Sequence, residues 1–213
     1  MHQPIPWNYD RAETIADAVV HGLGIAFAVA GGAALIIVAA LYADVSQVTA
    51  VSIYIAGLAA MIGLSAAYNL WPLTPFKWWL RRLDHSAIYL LIAATYTAFV
   101  LPLKGDALDA ILIVQWASAA AGIALKLVFP GRFDRAAIAL YLIMGWSGLF
   151  VIGPMAAALA PVTLVLIAIG GVLYSAGVVF HVWESLRFQN AIWHGFVLSA
   201  AACHYGAVMT SVV

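Results

Sequence analysis

Seven stretches of this sequence are each apolar for about the length that carries an α-helix across a bilayer, roughly 20 residues. They cover residues 18–42, 48–71, 85–103, 108–129, 136–157, 161–181 and 191–212. Within hydrocarbon, backbone N–H and C=O groups must find partners inside the chain, so a segment that crosses alone must be helical. The breaks carry turn chemistry: Asp44 to Gln47, Trp71-Pro72 to Arg82, Lys104-Gly105-Asp106, Pro130-Gly131-Arg132, Ala160-Pro161 and Glu184 to Gln189. Gly153-Pro154 either ends the fifth stretch or only kinks it. Only 8% of the residues are charged, against about 25% in a soluble domain. The expectation is an all-α membrane protein, one seven-transmembrane helix bundle over residues 1–213.

Charge narrows the function. Net charge is zero, which gives no reason to expect a nucleic-acid partner. The single cysteine, Cys203, excludes an intramolecular disulfide and a cysteine-based metal site. The polar N-terminus does not read as a signal peptide, so the first apolar stretch is expected to stay in the membrane. No internal repeat marks an inverted-repeat transporter. Arg11, Lys77, Arg81, Arg82, Lys126, Arg132, Arg135 and Arg187 all fall on one side of a seven-span chain, and only Lys104 falls on the other. The positive-inside rule then places the N-terminus in the cytoplasm and the C-terminus outside. The expected location is the inner (plasma) membrane.

Ionisable groups at membrane depth are costly and mark function by default. Ser65 and Asn69 share a face of the second span, one turn apart. Asp84 and His85 open the third span, and Asn190 and His194 stand one turn apart at the start of the seventh. His21 lies about a turn into the first span, and His181 closes the sixth. These groups gather in the cytoplasmic half of the bundle. His204, ten residues beyond His194, lies about 15 Å deeper.

Three motifs carry a family resemblance. Ser65-Ala-Ala-Tyr-Asn69, the run Leu83-Asp84-His85-Ser-Ala-Ile-Tyr through Thr97, and Gln189-Asn190-Ala-Ile-Trp-His194 resemble the hemolysin III family. That family is grouped with the progestin and adiponectin receptors and, more distantly, the alkaline ceramidases. Glu13-Thr-Ile-Ala-Asp17-Ala-Val-Val-His21-Gly22 is similar to its opening motif. The resemblance implies a seven-helix bundle with a cytoplasmic N-terminus. It also implies a zinc ion held by three imidazoles from the second and seventh spans, with a third-span Asp holding a water beside it. Here Asn69 and Asn190 stand at two of the imidazole positions, and Asp84 and His194 remain. The implied metal set is therefore Asp84, His194, Asn69 and Asn190, with His85 and His21 as possible recruits. Amide oxygens suit harder ions better than zinc, so zinc, a harder divalent ion or no ion all stay open.

Simpler readings stand beside these. Asp84 could cap the third helix or pair with Arg81 or Arg82. The Asn190–His194 pair could be interhelical hydrogen bonding. Trp71, Trp78, Trp79 and Trp183 fit an interfacial belt. Two functions follow. One is a lipid-responsive protein of membrane homeostasis with a degenerate metal site. The alternative is a metal-dependent hydrolase of a lipid amide or ester, ceramidase-like, with Asp84 as general base and Ser65 at the oxyanion. A pore, hinted at by the family name, would need a polar stripe along a whole helix, and none is evident.

Overall fold

Helix boundaries in this chain are set by caps and prolines more than by hydropathy. The computed structural model describes residues 9–103 and 105–213, so Lys104 and the first eight residues lie outside it. The helices are α1 (Arg11–Tyr42), α2 (Val45–Leu70), α3 (Pro75–Val100), α4 (Asp106–Val128), α5 (Asp134–Trp146), α6 (Ile152–Ala158), α7 (Pro161–Val182) and α8 (Gln189–Val212), with a 3₁₀ turn at Ser147–Val151 between α5 and α6. The run α5 to α6 is one span, giving seven apolar segments long enough to cross a bilayer. The described residues contain no strand. The chain is a seven-span all-α membrane protein.

Two helices start earlier than their apolar stretches. Asp10 and Glu13 form a capping box, each carboxylate accepting the other's backbone N–H at 2.9 and 2.8 Å, so α1 begins at Arg11 rather than at 18. Pro75 opens α3, where its fixed φ suits the first turn and its missing N–H costs nothing. Lys77 then reaches back to the carbonyls of Asn69 and Trp71, at 3.2 and 2.8 Å, and ties off the end of α2. This corrects the expectation that Asp84 opens the third helix. Thr74 is the N-cap residue, and Asp84 stands in the third turn, where it cannot cap. Arg81 pairs with Asp134 at 3.2 Å, a carboxylate that also holds Lys126 at 2.6 Å.

Gly153-Pro154 kinks the fifth span without ending it. Proline lacks the N–H that the Phe150 carbonyl would accept and crowds that carbonyl. The 3₁₀ turn lies in the residues just before it. The Tyr96 hydroxyl meets the break, donating to the Gly145 carbonyl at 3.0 Å and lying 3.1 Å from the Ser147 hydroxyl.

α1 packs between α2 and α8, α3 between α2 and α4, and α7 lies along α8. Small residues allow these approaches. A Cβ on Gly57 would come within 2.8 Å of the Ala94 methyl, so only glycine lets α2 and α3 lie so close. Large apolar side chains such as Val29, Leu41, Ile113 and Phe150 point outward. So much exposed apolar surface needs lipid as its solvent. With seven spans, the two termini face opposite sides, and the basic residues Arg11, Lys77, Arg81, Arg82, Lys126, Arg132, Arg135 and Arg187 share the N-terminal side.

Candidate functional site

The buried residues of α1 are Asp17, His21, Gly24, Ala28, Gly32, Leu35 and Ala39, a stripe at helical spacing. That stripe faces α2 and α8, so it carries the two polar members of the set into the same seam as Ser65 and His194. Asp17 is the centre of the result. Its Oδ1 accepts from His194 Nδ1 at 2.6 Å, and its Oδ2 accepts from the Asn190 amide at 3.1 Å. Asn190 also donates to Asn69 Oδ1 at 3.0 Å, and Asn69 donates to the Ser65 carbonyl at 2.9 Å. The Ser65 hydroxyl lies 3.2 Å from His21 Nε2 and 3.5 Å from His194 Nε2. The two imidazole rings meet edge to face, 4.4 Å between centroids.

Asp17, His21, Ser65, Asp84 and His194 are all buried. Asp84 faces the Ser65 hydroxyl from α3. The His85 ring turns back beside it, with Nε2 4.0 Å from Asp84 Oδ2, and packs against Tyr68. His181 lies against Trp193, 4.8 Å between ring centroids. His204 sits deep in the bundle, where its Nε2 meets the Ile167 carbonyl at 3.2 Å.

The expected residues thus fall into two groups. Ser65, Asn69, Asn190, His194 and the recruit His21 join one hydrogen-bonded network, with Asp84 at its edge. His85 stands on the far side of Asp84. Asp17 was missed as a site residue. Its signal was the spacing to His21, one turn on, but a carboxylate near a helix start is ordinarily read as favouring the helix dipole.

The zinc cradle implied by the resemblance does not fit positions 69, 84, 190 and 194. Only His194 among them is an imidazole, and both amides are engaged with each other and with Ser65 and Asp17. A different trio, Asp17, His21 and His194, brings one ligand atom from each within 4.8 Å of the others.

A cavity of about 1020 Å³ opens from this cluster. Ser65, Asp84, His85, Asn190 and His194 line it beside the cluster, and Arg81, Lys126 and Arg187 also line it. Leu91, Phe99, Val100, Met155, Leu164 and Ile167 line much of the rest, with Thr95, Ser175 and His204 among them. Along α3 the lining runs from Arg81 to Val100, about 28 Å at 1.5 Å per residue.

Comparison with known proteins agrees with this architecture. The model of the haemolysin-III-related family matches residues 10–205. The chain is 36% identical to "Hemolysin-3 homolog" of Bacillus subtilis (strain 168) over 200 residues, covering 92% of this chain and 93% of that one. It is 37% identical to "Hemolysin-3" of Bacillus cereus over 198 residues, covering 92% and 90%. It is also 33% identical over 127 residues to the human "Monocyte to macrophage differentiation factor", covering 59% of this chain and 52% of that one. A family match over nearly the whole sequence, with seven spans to carry it, makes this chain a member of the haemolysin-III-related family.

Proposed function

We propose that the protein is lipid-responsive. One amphiphilic lipid enters the bundle between α3, α5, α7 and α8, its polar group against the Ser65–Asp84–His194 end and its chain along the apolar walls. The protein would act in membrane homeostasis from the inner (plasma) membrane, with its N-terminus in the cytoplasm. The observation that supports this is the cavity itself: a polar end, mostly apolar walls, and a length that suits an acyl chain. Binding pockets for small ligands follow this design, mostly apolar with a few placed polar groups that fix orientation. The charge distribution supports the orientation.

The test is lipid retention. Purified protein should carry about one lipid per chain through detergent exchange, seen by native mass spectrometry. Ala168 lines the cavity, and Ala168→Trp fills it. That variant should lose the lipid while remaining monodisperse. Equal retention by both proteins contradicts the proposal.

Hydrolysis of a lipid amide or ester is the second reading, and one observation favours it. His21 Nδ1 faces the Asp17 carbonyl at 2.8 Å, and a carbonyl only accepts, so that nitrogen carries the proton. Nε2 is then free to accept the Ser65 proton at 3.2 Å, the relation of a base to a nucleophile. Fluorescent amide and ester lipids would show it: turnover abolished in Ser65→Ala supports hydrolysis, and no turnover by the parent excludes it for those substrates.

A further inference from the structure

The apolar part of the cavity wall holds a few polar side chains, and some of them are spent on the protein itself. Thr95 donates to the Leu91 carbonyl at 2.7 Å. Ser175 donates to the Gly171 carbonyl at 2.8 Å and accepts from the Trp146 indole at 3.0 Å. His204 and Tyr174 differ. The His204 ring is built into the contact of α7 with α8, because a Cβ on the buried Gly170 would collide with it. Its Nε2 meets the Ile167 carbonyl at 3.2 Å, and a carbonyl only accepts, so Nε2 carries the proton. Among the described residues the histidines with a carboxylate in reach are His21, His85 and His194. His204 has none, so at this depth its ring is neutral and Nδ1 is a bare acceptor. Tyr174 stands beside it, 5.5 Å between ring centroids, and both residues line the cavity. Neither His204 Nδ1 nor the Tyr174 hydroxyl has a hydrogen-bond partner among the described residues, and neither is sealed inside protein as the orphaned hydroxyls of Tyr54 and Tyr89 are.

We infer that His204 and Tyr174 form a second polar subsite, which takes a hydroxyl carried well down the chain of the bound lipid. A hydroxyl is the group that satisfies both, donating to His204 Nδ1 and accepting from the Tyr174 phenol. A plain acyl chain satisfies neither and leaves two polar groups against hydrocarbon, which costs free energy. Spacing sets where the hydroxyl lies. His204 is ten residues beyond His194 on α8, about 15 Å along the helix axis. Both histidines line the same cavity. The favoured ligand is therefore a hydroxylated long-chain lipid, with one polar group beside Ser65, Asp84 and His194 and the other at His204. The subsite rests on a lipid occupying the cavity, as proposed, and adds the chemistry that its chain carries.

Oleic and ricinoleic acid are suitable probes, because they differ only in a hydroxyl partway down the chain. Equimolar competition for the full-length protein in detergent, read by native mass spectrometry, should favour ricinoleic acid about 10-fold, the worth of one to two buried hydrogen bonds. Tyr174→Phe removes a single oxygen that no described protein group uses. It should cut the preference at least ~3-fold and leave oleic acid binding within ~2-fold. His204→Leu should abolish the preference, and Tyr174→Phe keeps the test decisive if that variant does not fold. Oleic acid bound by the parent as well as ricinoleic acid overturns the subsite and leaves the lipid reading standing. So does a preference that is the same in the parent and Tyr174→Phe. Binding of neither acid also overturns the subsite, and the absence of any retained lipid separately overturns the lipid reading.

Discussion

α3 and the fifth span are nearly the same length, 26 and 25 residues, and both cross the bilayer, yet 67% of the apolar window is buried in one and 17% in the other. α3 is held on both sides. Gly57 of α2 meets Ala94, and Gly122 of α4 takes the Tyr89 ring so closely that a Cβ there would come within 2.5 Å of it. The fifth span is held at fewer points, by Ala137 and Met144 against Tyr89, Ala93 and Ala119 and by Tyr96 at Gly148. It is broken at Ser147–Val151, and its inner face lines the cavity. The contrast separates two jobs. The side built from α1, α2, α3 and α8 fixes the polar cluster in place, and the fifth span leaves room beside it.

That division can be broken from the rigid side first. Asp17→Ala would strand His194 and Asn190 without their shared acceptor, and each of the two buried donors left unsatisfied costs about 1–3 kcal/mol. The loss should appear as a lower thermal unfolding temperature in detergent. Gly57→Leu comes next, since it forces α2 from α3 where a single Cβ already meets Ala94 at 2.8 Å. Overpacking of this kind costs about 1–3 kcal/mol. By contrast, Gly145 of α5 has nothing within 4 Å of an added Cβ. Gly145→Ala should be neutral or stabilise by up to about 1 kcal/mol through helix propensity. If Gly57→Leu and Gly145→Ala shift unfolding alike, the two sides are not different.

The smallest effect sharpens the edge of the rigid side. The Glu13 backbone N–H, with help from Arg187 at 3.1 Å, holds the Asp10 carboxyl below its ordinary value of 3.8. A depressed carboxylate stabilises the fold above its unfolded pKa, and that support fades as pH falls through the folded value. Amide protection in the first turn of α1, measured relative to the intrinsic exchange rate at each pH, should therefore be higher at neutral pH than below pH 3.8. Asp10→Ala should be weakly protected at either pH.

The spans were legible because lipid demands a long apolar run for each crossing, and the run survives without knowledge of its neighbours. Helix starts were less so. Lys77, Arg81 and Arg82 read as a loop, but they lie in helical turns whose polar groups reach neighbouring carbonyls and Asp134. Ser65, Asn69, Asn190 and His194 stood out because polar groups are rare at that depth. Asp17 did not, because its role depends on α1 packing between α2 and α8. No local spacing states which helices become neighbours. The cavity is a property of that packing too, and no single residue announces it.

The central claim is that a lipid lies in the bundle with its polar group at the Ser65–Asp84–His194 end. Photo-crosslinking tests it most directly, using two forms of one lipid, with a diazirine beside the headgroup or at the acyl terminus. The headgroup form should label the first turns of α8, around Asn190 to Val197. The acyl form should label Met155, Leu164 and Ile167. Labelling by both forms confined to outward residues such as Val29 and Leu41 would contradict the account.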